Sequence, residues 1–155
     1  MRFNIRHYLN TCVVALLMLV GISSCDPAQA QTPVAIKPIE TLTGTEGQTM
    51  DEFARQIRRR VHRLSHRYNG EVCGAIYQRN GVYGVEIVTT RSDLSCSMVQ
   101  PADFTGHTIH THPNHSHGLF SEQDYRQGPG YLISEGVLYH QQGRGTERNV
   151  VLSSR

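Results

Sequence analysis

The chain has 155 residues, of which 38% are hydrophobic and 18% charged, and a formal net charge of +2. Arg2 and Arg6 account for that excess, since residues 25–155 carry 13 Lys+Arg against 13 Asp+Glu, so charge gives no support for a nucleic-acid partner. Trp is absent, so a core must rest on Val, Ile, Leu, Tyr and Phe, and the length beyond the leader suits one domain.

The first thirty residues read as a targeting segment. Arg2, Arg6 and His7 form a basic start, and Cys12 to Ile22 is an uninterrupted apolar or small-residue run. A spanning helix needs about 20 such residues, so this run is short for one. Two cleavage readings stand. Ile22-Ser23-Ser24-Cys25 resembles a bacterial lipobox, which would remove residues 1–24 and leave Cys25 lipidated and membrane-attached. Ala28-Gln29-Ala30 resembles an ordinary signal-peptidase site before Gln31. Either one, or an uncleaved anchor, puts the rest of the chain outside the cytoplasm, periplasmic or secreted. Residues 25–48 carry prolines with Thr, Gln and Gly and read as a tether, or at most one short entering strand. The folded domain is expected over 49–155. With Cys12 in the leader and Cys25 lipidated, Cys73 and Cys96 remain as a pair. An oxidising compartment could join them, or Cys73 could stay a buried free thiol.

Residues 50 to 68 give the clearest helix, with Met50, Phe53, Ala54, Ile57, Val61, Leu64 and Tyr68 at three- and four-residue intervals. Thr49 or Asp51 can cap its start, and Gly70 lies just past its end. Its other face carries Arg55, Arg58, Arg59, Arg63 and Arg67, with His62 and His66 nearby, and reads as a solvated face or as a surface for anions. Strand-like runs follow at Glu71 to Gln78 and Val82 to Thr90, joined by the tight-turn pair Asn80-Gly81. A looser stretch from Arg91 to Phe104 can hold a short strand around Cys96 to Val99. Thr105 to Thr111 is expected as a strand, Ser121 to Gln127 as a short helix stopped by Gly128-Pro129-Gly130. Tyr131 to Ser134 and Val137 to His140 form a second hairpin around Glu135-Gly136, and Asn149 to Ser153 is a closing strand. This order suggests an α+β fold, with a mixed or antiparallel sheet and a helix packed on it.

The stretch HTHPNHSHGLFSEQD, residues 110 to 124, carries the chemistry. His110 and His112 are two apart, so on a strand they project from one face. Pro113 stops the strand, having no N–H for a ladder. Ser121 fits a helix N-cap, with Asp124 at N3 in the first turn. Two imidazoles, one carboxylate and an open fourth position make the pattern of catalytic rather than structural zinc.

The spacing His-x-His-Pro, seven residues, Ser-x-x-Asp resembles the JAMM motif of the JAB/MPN metallopeptidase family, whose motif also has an upstream glutamate in a Glu-x-x-Gly context. Glu71-Val72-Cys73-Gly74 fits that position, and the resemblance covers roughly residues 50 to 155. It implies a JAB/MPN-like mixed sheet, with a long N-terminal helix and a short helix after the metal-binding strand. It implies Zn²⁺ held by His110, His112 and Asp124, with Glu71 on the first central strand as a base that is not a ligand. It also implies that Ser121 donates a hydrogen bond to the oxyanion of the tetrahedral intermediate. The family often carries a cysteine at the position of Cys73 without a partner. His107 falls on the opposite strand face, and His115 and His117 lie in the loop, as substrate or proton contacts or as plain polar residues.

Two functions compete. One is a zinc-dependent peptidase or isopeptidase acting on a protein or peptide outside the bacterial cytoplasm. The other is a non-enzymatic metal-binding lipoprotein. Glu71, Ser121 and Asp124 favour the first, since a metal sink would not need them. The short spacing between motif elements implies a compact bacterial-type member, without the extra segments that grip ubiquitin.

Overall fold

The structure, a computed structural model, describes residues 34–113 and 119–152. The leader, Cys25, the Ala30 site, His115, His117 and the end of the closing strand at Ser153 lie outside the described residues. The fold is α+β, built on one seven-stranded sheet in the order β1-β3-β2-β4-β5-β6-β7. The strands are β1 (Lys37–Thr43), β2 (Cys73–Arg79), β3 (Val82–Thr89), β4 (Phe104–His112), β5 (Gly130–Ser134), β6 (Val137–Gln141) and β7 (Asn149–Leu152). Among the described residues two helices accompany them, α1 (Met50–Tyr68) and α2 (Glu122–Gln127). Every neighbouring pair is antiparallel except β4 and β5. A parallel pair needs a crossover rather than a hairpin, and the segment bearing α2 supplies it. No helix among the described residues is long and apolar enough to cross a membrane.

β1 lies within the 25–48 stretch, so the entering strand, and not a tether throughout, describes residues 37–43. It pairs with β3 at the sheet edge. The expected strand around Cys96 to Val99 is absent, and residues 95–100 have no regular structure. The reason is positional: the segment is tied beside β2, which is already paired with β3 on one edge and β4 on the other. A disulfide fastens it instead, with Cys73 and Cys96 Cα atoms 5.9 Å apart.

α1 starts in a reciprocal capping box. Thr49 Oγ1 accepts from the Glu52 N–H at 3.3 Å and Glu52 Oε2 accepts from the Thr49 N–H at 2.7 Å. It ends at Asn69, whose left-handed φ of 48° lets its N–H donate to the His66 carbonyl. Phe53, Ala54, Ile57, Val61 and Leu64 face the sheet, packing with Val72, Ile76, Val85, Ile87, Ile109, Tyr131 and Ile133. Fully burying such a side chain is worth about 1.5–3 kcal/mol, so this one face holds the helix. Arg58, expected among the exposed arginines, is buried and donates to the carbonyl of Gly136. Position 58 follows the buried Ile57 on the helix, and the β5–β6 turn offers its carbonyl there.

The two hairpin turns have the same form. Asn80-Gly81 has φ of 51° and 78°, and Glu135-Gly136 has 50° and 75°. Two successive positive φ values match the twist of antiparallel strands, which is why Gly recurs at the second position. Gly74 answers a different need: a Cβ there would lie 2.6 Å from the Glu86 carbonyl oxygen. The strand pair β2–β3 can close next to the site only without that atom.

Candidate metal centre

Alternation along β4 divides its side chains between two environments. Ile109 joins the core under α1. His110 and His112 point the other way, with ring centroids 4.9 Å apart. His107 lies on the α1 side, 6.3 Å from the Tyr131 ring and 5.6 Å from His140, as its odd spacing from His110 predicts.

α2 brings the carboxylate. Ser121 and Asp124 form a second capping box: the Ser121 N–H donates to Asp124 Oδ2 at 2.6 Å, and the Asp124 N–H donates to Ser121 Oγ at 3.2 Å. The Ser121 hydroxyl also lies 2.8 Å from Asp124 Oδ2 and donates to it. One carboxylate oxygen is thus committed to the cap. The other, Oδ1, lies 3.4 Å from His110 Nε2. The far end of α2 is held by Gln141, which is buried and whose amide donates to the Gly128 carbonyl at 2.7 Å and the Asp124 carbonyl at 3.4 Å.

Ligand-type atoms of His110, His112 and Asp124 all lie within 4.8 Å of one another, so this group could hold a metal ion. The fit has an observation behind it. Among the described residues His110 Nε2 is buried without a hydrogen-bond partner, although Asp124 Oδ1 is near. Buried polar atoms are rarely left so, and a cation held between the two groups would give this nitrogen a partner. The donor set of two imidazoles and one carboxylate suits zinc.

Glu71 completes the cluster without joining that group. It precedes β2, which begins at Cys73, rather than lying on the strand. Its Oε1 is 3.7 Å from His112 Nε2, and the residue is 7% exposed. Its backbone is fixed on both sides. The Glu71 N–H donates to the Ser92 carbonyl at 2.8 Å, and the Thr89 hydroxyl donates to the Glu71 carbonyl at 2.8 Å. The neighbouring Val72 N–H donates to Thr111 Oγ1 at 3.1 Å.

The electrostatics follow from burial and crowding. Burial pushes the Glu71 carboxyl up to about 7; His110 opposes this, and Asp124 and Asp93 add to it. Burial, with His110, lowers His112 to about 4, against the pull of Asp124 and the Leu119 backbone. Burial alone would raise Asp124, but His110 and the hydrogen bonds from Ser121 outweigh it and hold the carboxyl well below the usual range. Asp124 is therefore an anion and His112 a neutral imidazole at neutral pH, the forms in which both bind metals.

The cluster lines a cleft of ≈ 200 Å³. Glu71, His110, His112, Pro113, Ser121 and Asp124 line it. Asp93, Leu94, Cys96 and Met98, from the segment that the disulfide holds, line it too. All five residues expected from the motif meet here. Thr89, Thr111, Gln141 and Asp93 were not among them. Thr111 sits between the two histidines, where a β-branched residue reads as ordinary strand. The other three are distant in sequence and carry no local signal. No protein-family model, no curated protein and no solved structure matches the chain.

Proposed function

We propose that the protein is a zinc-dependent peptidase or isopeptidase of the JAB/MPN type, hydrolysing an amide bond of a protein or peptide outside the bacterial cytoplasm. One observation carries this reading: three ligand-type side chains converge in an open cleft beside a buried carboxylate, Glu71, that is not one of them. His110, His112 and Asp124 would hold the ion. When bound, zinc supplies Lewis-acid activation of water and of the substrate carbonyl.

Glu71 accepts the proton released as water attacks and returns it to the departing nitrogen. Its two backbone anchors keep the carboxylate beside His112 throughout. Ser121 orients Asp124 through the capping box, and its hydroxyl turns from Asp124 Oδ2 to the substrate oxyanion as charge develops there. Leu94 and Met98 offer an apolar wall to a substrate side chain. The disulfide supports an extracytoplasmic setting, since such bonds persist in oxidising compartments. A metal-storage role gives no reason for a buried, non-ligating carboxylate.

The test is to incubate the purified protein with periplasmic extract, with and without chelator, and identify new peptide termini. Termini that appear with the wild type, and vanish with chelator and with Glu71→Gln, support the reading. Termini unchanged by Glu71→Gln would remove Glu71 from the chemistry, and no new termini at all would favour the metal-binding lipoprotein.

A further inference from the structure

We infer that His62 and His66 form a second, weaker zinc site on the outer face of α1, independent of the cleft. The two residues are one helical turn apart, so they share a face. Their Nε2 atoms point at each other at 3.2 Å, and the rings meet edge to face with centroids 4.5 Å apart. With Zn–N bonds of about 2.0–2.1 Å, nitrogens 3.2 Å apart subtend about 100–106° at the ion. That is close to the tetrahedral angle of about 109°. The pair therefore already has the bite of a chelate, and only the ion and its waters need to be added.

A direct N–H···N hydrogen bond between two neutral rings is the competing account of the same distance, and it makes a different prediction on adding metal. Imidazole suits zinc, copper and nickel alike, and the near-tetrahedral bite favours zinc. The site is weaker than the cleft for two reasons. It has two protein ligands rather than three, and the positive charge of Arg58 bears on His62. The two sites do not share residues. His110 and His112 project from the sheet face opposite α1, so one can be removed without touching the other.

The experiment titrates the metal-stripped full chain with Zn²⁺ and counts bound ions by calorimetry. Wild type, His62→Gln/His66→Gln and His110→Ala/His112→Ala are compared. Wild type is expected to bind two ions of unequal affinity. The first variant should lose only the weaker ion, and the second only the tighter. Loss of a direct ligand should weaken binding by more than the roughly 10–100-fold that loss of an outer hydrogen-bond partner costs. Zinc should also raise Tm of the His110→Ala/His112→Ala protein, because the chelate staples a turn of the core helix. Adding His62→Gln/His66→Gln should abolish that rise. A second ion whose affinity is unchanged in His62→Gln/His66→Gln would overturn the proposal. So would wild type that saturates at a single ion in millimolar zinc and keeps that ion in His62→Gln/His66→Gln, which would leave the pair as a hydrogen bond. Should the cleft variant not fold, wild type against the surface variant still decides, since both of its substitutions lie on the outer face of α1.

Discussion

Thr111 and Val72 exchange two hydrogen bonds of 3.1 Å: the Val72 N–H donates to Thr111 Oγ1, and the Thr111 N–H donates to the Val72 carbonyl. Thr111 stands between His110 and His112, and Val72 follows Glu71. This exchange sets the carboxylate against the imidazoles, continuing the β2–β4 register in which Cys73 faces His110. Thr111→Val keeps the shape but leaves the buried Val72 N–H without its acceptor, a loss of about 1–3 kcal/mol. Denaturation should show that loss, and kcat should fall while bound zinc stays near wild type. Unchanged kcat would mean that Glu71 is held well enough by Ser92 and Thr89 alone.

Glu71 and His112 separate by what they hold. Glu71→Gln should keep tightly bound zinc and lower kcat by about 10²–10⁴, the range for loss of a general base. His112→Ala should lose both metal and turnover. Elemental analysis beside a peptidase assay distinguishes them, and loss of zinc from Glu71→Gln would make Glu71 a ligand. Zinc should also stay bound through mildly acid solution and be released only towards about pH 4, where His112, kept neutral by burial, takes up a proton and ceases to be a ligand.

Ser121 has a structural role that can be separated from its chemical one. Its hydroxyl and N–H both serve Asp124 through the capping box. Ser121→Ala should cost about 1 kcal/mol of stability and about a hundredfold or more in kcat. Ser121→Asn retains a capping oxygen but no hydroxyl, so stability should largely recover while kcat does not. Near-normal turnover in Ser121→Asn would reduce the residue to a cap.

The Cys73–Cys96 bond closes a loop with a sequence separation of 23. Chain-entropy reasoning gives about 3 kcal/mol for a loop of that size. Cys73→Ala/Cys96→Ala should unfold at lower denaturant by about that amount. KM should rise more than kcat falls, because the released segment carries Leu94 and Met98 of the cleft lining but none of the candidate metal ligands. A proportionate fall in kcat would show that the segment also governs the chemistry.

Local patterns made much of this protein readable from its sequence. The 3.6-residue periodicity of 50–68, the Asn80-Gly81 and Glu135-Gly136 turns, and the His-x-His alternation each depend on neighbours a few positions apart, and each appears in the structure. So does Ser121 at the N-cap, because a hydroxyl three residues before a carboxylate can only satisfy the first turn in a few ways. What only the tertiary structure decided depends on distant partners. The 96–99 segment has strand-like residues, but β2, to which Cys96 is bonded, is already paired on both sides. Arg58 reads as exposed, yet a carbonyl from the β5–β6 turn draws it inward. The roles of Thr89, Thr111 and Gln141 arise from which backbone groups the sheet places beside them. The same holds for the disulfide, which needed Cys73 and Cys96 brought to 5.9 Å between Cα atoms. Periodicity and capping are properties of a short stretch of chain, whereas edge occupancy and hydrogen-bond partnership belong to the folded whole.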